Sequence, residues 1–191
     1  MTKRDPPVVT ADISLRSDDI GMVKAARRDP EAFGALYLRY VEQVYRYLYS
    51  KLNNVHEAED LTAQTFLTAL ESFGSLRNDG HFAAWLFTIA RNKAMDYFRK
   101  NKQREGLHKP AEIAAENDPL SSVIRSEQAL ALAKLLRTLS EEEQEMLRLR
   151  FLAEMTYAQI GRVLHRNEEA IKKAIYRLLT RLQSQLEAKY E

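Results

Sequence analysis

Apolar residues recur at intervals of three and four positions over long stretches of this chain. One such series is Phe33, Leu36, Tyr37, Tyr40, Val41, Val44 and Leu48, which places apolar side chains along one buried face of an amphipathic helix. The sequence offers no convincing alternation of apolar and polar residues of the kind that predicts strands. Gly and Pro number only 6 and 5 among 191 residues, so few positions break helices. The sequence therefore predicts an all-α protein.

The periodic pattern stops between two blocks of the chain. Over residues 101–117 it gives way to charges with Gly106, Pro110 and Asn117, a composition typical of an exposed linker. Residues 1–18 also lack a period, and we expect a flexible N-terminal tail there. We therefore predict two small helical domains, over 19–100 and 118–188, joined by a flexible linker over 101–117.

Local signals give boundaries to the helices of the first block. Asp29 before Pro30 is a helix start, because Asp accepts bonds from free amides and Pro is tolerated in a first turn. Asn54 is predicted to open the next helix, with Glu57 completing a capping box, and Gly74 to end it. A further helix is expected from Phe82 to about Lys100.

The pattern of the second block predicts four helices, two of which form a helix-turn-helix. Capping boxes are expected at Ser140…Glu143 and Thr156…Gln159. A short helix to Leu164, a turn at His165-Arg166 and a longer helix from Asn167 have the lengths of this motif, whose second helix can enter a DNA major groove. Its outward positions are basic: Lys172, Lys173, Arg177 and Arg181.

Composition argues against several functional classes. The chain has no cysteine, which excludes disulfides, thiolate zinc sites and cysteine nucleophiles. Its four histidines show no metal-ligand spacing, and no phosphate loop or nucleophile motif is present, so we expect no enzyme, metal or cofactor. No signal peptide or membrane-length apolar stretch occurs, and we expect a cytoplasmic protein without membrane insertion. The net charge of +2 requires any DNA contact to use local clusters of Lys and Arg.

Longer motifs give both blocks a family resemblance. The segments 139–151, 155–161 and 170–177 resemble region 4 of bacterial sigma factors. The segments 57–66 and 85–99 resemble region 2 of the same family. The two resemblances occur in the family's order, without a long N-terminal extension or a middle domain, which is the arrangement of the extracytoplasmic-function group.

This resemblance implies partners for the chain. Core RNA polymerase would be bound through its clamp coiled coil and its flap, and an anti-sigma protein is an expected regulator. The clamp surface of the family maps here onto Asp60, Leu61, Thr62, Gln64 and Phe66. Acidic side chains in the first turns of this helix could also serve only to stabilise the helix N-terminus.

The resemblance also assigns two DNA-reading surfaces. In region 2, a loop over residues 76–81 captures a flipped base of the −10 element, with Asn78 and Asp79 as candidates for contacts to the base edge. The further −10 candidates are Arg91, Asn92, Lys93, Asp96, Arg99 and Lys100. In region 4, the −35 candidates are Arg166, Asn167, Glu169, Lys172, Lys173, Arg177 and Arg181. For Trp85, its position on the apolar stripe favours a core role over base stacking.

Two other functions fit parts of the sequence. A free-standing helix-turn-helix regulator would use the second domain alone. A sigma-like interaction protein with weakened DNA contacts would explain departures from the family pattern at the His165-Arg166 turn, Glu169, Ala174 and Leu179. A positive φ at the turn costs a non-Gly residue about 1 kcal/mol or more, although His tolerates it better than most.

Overall fold

The structure is a computed structural model that describes residues 17–105 and 127–188. Most of the predicted tail, residues 106–117 of the predicted linker and residues 118–126 of the predicted second domain lie outside the described residues. Over the described ranges the regular structure is entirely helical, which confirms the all-α prediction. The helices are α1 (Ser17–Arg28), α2 (Phe33–Leu52), α3 (Val55–Glu71), α4 (Phe82–Glu105), α5 (Glu127–Arg137), α6 (Glu141–Leu147), α7 (Tyr157–Leu164) and α8 (Glu168–Glu187).

Helices α1 to α4 form an N-terminal unit around aromatic side chains. Phe82 is 1% exposed and its ring lies within 6.4 Å of the rings of Phe33, Phe73 and Trp85. Asp19 holds α1 in place, because it accepts a hydrogen bond from the Tyr40 hydroxyl. The predicted start at Asp29 is confirmed: its side chain accepts from the Glu31 N–H and begins a 3₁₀ turn that leads into α2.

Helices α5 to α8 form a C-terminal unit. The two capping boxes predicted in this unit are confirmed, at the N-termini of α6 and α7. At the start of α3, Asn54 caps the helix by accepting from the Glu57 N–H, which is one half of the box predicted there. A single π-helical turn, Arg148–Leu152, continues α6. Within this turn Leu149 is buried while Phe151 is 45% exposed.

Three boundary or burial predictions were wrong. Helix α3 ends at Glu71, and Gly74 lies in a 3₁₀ turn without a positive φ. Helix α4 continues to Glu105, because nothing in residues 101–105 breaks a helix; the predicted linker therefore begins as helix. Tyr37, expected in the core, is 41% exposed and contacts the ring of Phe66 by its edge at 4.8 Å.

The two units pack against each other. Helix α4 contacts α7, and α2 contacts the π-helical turn. Buried side chains of both units, from Val23 to Ile175, form one continuous apolar cluster. Within residues 17–105 and 127–188, no helix has both the length and the apolar character needed to cross a membrane.

Candidate DNA-reading and polymerase-docking surfaces

The helix-turn-helix is closed by a tight turn between α7 and α8. His165 has φ 54° and ψ 42°, which confirms the predicted left-handed residue. The Arg166 N–H donates to the Gly161 carbonyl at 2.8 Å. A Cβ on Gly161 would lie 2.6 Å from the Arg166 carbonyl oxygen, closer than any real contact. Gly161 therefore sets the close approach of the two helices, a requirement that the sequence reasoning missed.

Helix α8 presents its basic residues to solvent. Lys172, Lys173 and Arg177 are exposed, whereas Ile171 and Ile175 on the opposite face are buried. Arg181 instead forms an ion pair of 2.7 Å with Glu143 of α6. The pKa of Glu143 is lowered first by its bond with the Ser140 N–H and then by Arg181.

The remaining −35 candidates lie at the start of α8. Asn167 is the N-cap and accepts from the Glu169 N–H at 2.8 Å, so its side chain supports the helix. Glu169 itself is exposed. Arg166 forms an ion pair with Glu142 of α6, on the surface of the same unit.

In the N-terminal unit, the side chains of the candidate base-reading residues bond to neighbouring groups of the same unit. The Asn78 side chain accepts from the Gly80 N–H at 2.9 Å and caps a 3₁₀ turn. Asp79 pairs with Arg27 of α1 at 2.8 Å, and Arg27 also donates to the Leu76 carbonyl. These contacts give the loop a defined shape.

A small cavity of about 240 Å³ lies beside this loop. Its walls include Asn78, His81 and Trp85, and also Arg162 of α7. Burial, and then the charge of Arg162, lower the pKa of His81. Trp85 is half-buried and packs on the aromatic core, as predicted, but it also lines this cavity, which its position on the stripe did not indicate.

The −10 candidates on α4 occupy several environments. Arg91 is half-buried and its guanidinium lies 3.5 Å from the carboxylate of Glu145 in α6. Lys93 is half-buried, while Asn92 and Lys100 are exposed. The two others pair with each other along the helix, Asp96 with Arg99 at 2.9 Å.

The five predicted polymerase contacts divide between the two sides of α3. Leu61, Thr62 and Phe66 are 6%, 5% and 5% exposed, and therefore hold α3 in the core. Asp60 and Gln64 are exposed. Leu67, which is 57% exposed, lies on the same outer face at the three- and four-residue spacing of a helix. The sequence reasoning missed Leu67, although its place off the buried stripe was the available signal.

The C-terminal unit carries an apolar groove of about 440 Å³. Its lining is mostly leucine, with Phe151 from the π-helical turn. Leu132, Phe151 and Leu179 are exposed apolar residues of this unit, and all three line the groove. An exposed apolar surface of this kind marks a site for a partner's apolar side chains.

Comparisons with known proteins place the chain in a family. Residues 36–104 match Sigma-70 region 2 and residues 129–182 match Sigma-70, region 4. The ECF RNA polymerase sigma factor BldN of Streptomyces coelicolor is 38% identical over 87% of this chain, which spans 66% of that relative's length. The sigma factor SigK of a Mycobacterium species is 30% identical; the match covers 87% of this chain and 86% of SigK. The sigma factor SigW of Bacillus subtilis is 28% identical; the match covers 83% of this chain and 90% of SigW.

The chain therefore belongs to the sigma-70 family, in its extracytoplasmic-function group, and its role is that of a sigma factor. The resemblance seen in the sequence is confirmed. Two solved structures share the fold. CnrH, in complex with the cytosolic domain of CnrY, is 24% identical with a TM-score of 0.62 and covers 89% of this chain and 97% of its own. RpoE of Bartonella quintana, in complex with the anti-sigma factor NepR, is 22% identical with a TM-score of 0.60, covering 81% and 96%.

Proposed function

We propose that this sigma factor binds core RNA polymerase, reads a −35 element with α8, and reads and helps to open a −10 element with α4 and the loop over residues 76–81. The observation that carries this proposal is the exposed basic face of α8. Its geometry is fixed by the Gly161 contact at the turn, and Lys172, Lys173 and Arg177 lie free of the core on one side. Such a helix can supply phosphate contacts and, through Arg, base-edge contacts in a major groove.

For the −10 element, the cavity beside Asn78 and Trp85 is the proposed binding site for one base. Extruding a base costs a few kcal/mol, which stacking and edge hydrogen bonds in a pocket must offset. The half-buried ring of Trp85 offers a stacking surface, and Asn78 and Asp79 offer polar groups once their present bonds are exchanged. The exposed cations Arg99 and Lys100 on α4 would contact backbone phosphates.

Polymerase docking is proposed to use two separate surfaces. The outer face of α3, with Asp60, Gln64 and Leu67, has the charged rim and apolar centre of a protein interface and would meet the clamp coiled coil. The leucine-rich groove of the C-terminal unit would receive the flap. Because polymerase binding and DNA reading need no reacting group, the proposed role is non-enzymatic, and it is carried out in the cytoplasm with polymerase.

An anti-sigma protein is proposed as the regulator of this chain. A cleft of about 680 Å³ lies between the two units. Its lining combines the apolar residues Met95, Phe98 and Leu164 with six charged residues, which are Lys51, Arg91, Glu141, Glu142, Glu145 and Arg148. Met95 and Phe98 are 50% and 44% exposed. Apolar side chains in a cleft between domains fit a partner helix that inserts there. Of the two structural neighbours, RpoE was solved with the anti-sigma factor NepR, and CnrH with the cytosolic domain of CnrY.

The docking proposal is tested by titrating fluorescently labelled protein with bacterial core polymerase. Leu67→Asp places a charge in the centre of the proposed α3 interface and should weaken binding at least tenfold, as loss of a central apolar contact commonly does. Val55→Asp is the matched control, since Val55 is also exposed on α3 but lies at its first position. Equal affinity of both variants for core would remove the α3 face from the proposal.

A further inference from the structure

Helix α1 lies before residues 36–104, the segment that matches Sigma-70 region 2, and no surface proposed above includes it. It nevertheless packs beside the loop over residues 76–81, because the 3₁₀ turn Asp79–His81 contacts α1. Ile20 lies next to Gly80, where a Cβ would be 3.7 Å from the Ile20 Cδ1 atom. Arg27 follows Ile20 after about two helical turns, and therefore lies on the same face of α1.

The side chain of Arg27 bonds to the loop on both sides of Asn78. Its Nε atom donates to the Asp79 carboxylate at 2.8 Å, and its Nη2 atom donates to the Leu76 carbonyl. The guanidinium also lies over the Phe73 ring, 5.6 Å from the ring centre. Arg can bond in two directions from one rigid plane, whereas Lys offers a single ammonium on a flexible stem. One planar group therefore joins three points of the segment that forms the loop.

Helix α1 is fixed to the N-terminal unit independently of the loop. Val23 is fully buried in the apolar cluster. In the first turn of α1, the Asp19 carboxylate accepts from the Tyr40 hydroxyl and pairs with Arg39 at 2.5 Å, both on α2. Burial, and then the bond with Asp19, raise the pKa of Tyr40, so its hydroxyl remains a protonated donor. Arg27 therefore extends from a helix whose place is set by α2 and not by the loop.

The stretch of loop that Arg27 holds forms one wall of the cavity proposed to bind a base. Leu76 and Asn78 line this cavity, whereas Asp79 and Arg27 lie outside its lining. The Oδ1 atom of Asn78 accepts from the Gly80 N–H, which leaves its Nδ2 group to donate to a base edge. A hydrogen bond weakens steeply with distance and misalignment, so the direction of this group decides whether it reads a base. That direction depends on the backbone between the two points that Arg27 bonds.

We propose that Arg27 is a positioning residue for base capture: its bonds on either side of Asn78 hold that side chain in the direction from which it reads the base. Arg27 itself does not contact DNA. When the Asp79 carboxylate turns to the base, the bond to the Leu76 carbonyl and the contact with the Phe73 ring keep the guanidinium, and with it the loop, in place. The inference rests on the proposed function, because it requires a base in the cavity, and it adds α1 to the −10 surface.

The positioning role is tested by the base preference of the holoenzyme, which is the full chain bound to bacterial core polymerase. The probe is a pool of short single DNA strands of random sequence. The strands that the holoenzyme retains are sequenced and aligned, and the preference at each position is the ratio of the most frequent base to the mean of the other three. This ratio does not depend on how much of a variant is folded, so a loss of stability alone leaves it unchanged.

Arg27→Ala should reduce the preference at the captured position from about tenfold to about twofold, because one good base-edge contact gives discrimination of about that size. Asn78→Ala, which removes the reading group, identifies this position. Arg27→Lys keeps the charge but cannot hold both acceptors from one plane, so it should not restore the preference. Arg28→Ala is the matched control: Arg28 is the next residue of α1, is exposed, and has no bond to the loop within the described part of the chain.

Should Arg27→Ala lose helical circular dichroism, Arg27→Lys decides, since it retains a long side chain and the charge. The parent preference in the folded Arg27 variants, its full restoration by Lys, or an equal loss in Arg28→Ala would overturn the positioning role and leave base capture in place. A parent holoenzyme that retains strands without preference at any position, or a parent chain that does not bind core, would contradict the proposed function and the positioning role with it.

Discussion

On α8 of the C-terminal unit, Lys172 and Lys173 extend into solvent, and the turn that aims them is already closed. In the N-terminal unit, Asp79 is paired with Arg27 and Arg91 with Glu145. The proposed −35 surface on α8 is therefore already formed, while the proposed −10 surface would have to exchange existing bonds to read DNA. The difference suits a factor that first binds duplex DNA and then captures a base, because duplex binding needs no rearrangement and base capture follows local opening.

The largest expected effect concerns the turn that makes the C-terminal surface preformed. Gly161→Ala places a Cβ 2.6 Å from the Arg166 carbonyl oxygen, and such overpacking costs about 1–3 kcal/mol. Urea unfolding should show this loss together with weaker duplex binding. Gly21→Ala on α1, whose Cβ would meet nothing within 4 Å, is the control and should be neutral or slightly stabilising. Equal stability of both variants would refute the close approach.

The next largest effect on stability is expected for the loop over residues 76–81 of the N-terminal unit. Arg27→Ala removes the partner of Asp79 and a donor to the Leu76 carbonyl, for which we expect a loss of about 1 kcal/mol, the net value of one or two partly exposed bonds. Amide hydrogen exchange over residues 76–81 should accelerate. Arg166→Ala, which removes the exposed pair with Glu142, should change stability less. Unchanged amide exchange over residues 76–81 in Arg27→Ala would show that the bonds from Arg27 do not stabilise the conformation of the loop.

The positive φ of His165 gives a change in the opposite direction. His165→Gly removes the cost of a left-handed conformation at a residue with a Cβ, but Gly loses more backbone entropy on folding. The net result should be a free energy of unfolding about 0.5–1 kcal/mol higher than that of the parent. Thermal unfolding measures it. His165→Ala keeps the strain without the tolerance of His and should be less stable than the parent. A less stable Gly variant would place the strain elsewhere in the turn.

Substitutions on the exposed face of α8 should have the smallest effect on stability. They should instead weaken DNA binding. Lys173→Ala should alter the free energy of unfolding by less than about 0.5 kcal/mol. In a duplex-binding titration over several salt concentrations, the loss of one phosphate contact should reduce the salt slope by about 1. Lys24→Ala on α1 is the control with the same charge change. Identical slopes for the two variants would argue against α8 as the DNA helix.

Much of this architecture could be predicted because its causes are local. Apolar spacing determines which face of α2 is buried, and the capping boxes at Ser140 and Thr156 depend on residues three positions apart. Even the left-handed turn at His165 was predicted. Gly161 could not be recognised as essential from spacing, since the oxygen it must avoid belongs to a residue after the turn.

Glu145 shows what local patterns cannot supply. In the sequence it belongs to an acidic run with Glu141, Glu142 and Glu143 and has no distinguishing neighbour. In the structure it is 4% exposed, and its hydrogen bond comes from Tyr47, which lies 98 positions away. Arg91 was predicted to contact DNA from the family resemblance and its charge. Its ion pair depends on how the two units pack, and no periodicity records that packing.

Promoter recognition by this chain, with base reading by the loop over residues 76–81, is measured by run-off transcription with bacterial core polymerase. The templates are genomic fragments that include the region upstream of its own gene. We expect discrete transcripts that require the protein and disappear when Asn78 and Asp79 are both replaced by Ala, while core binding is retained. Transcripts of equal strength from that double variant would contradict base reading by this loop, and their absence with the parent protein would contradict the promoter-directing role.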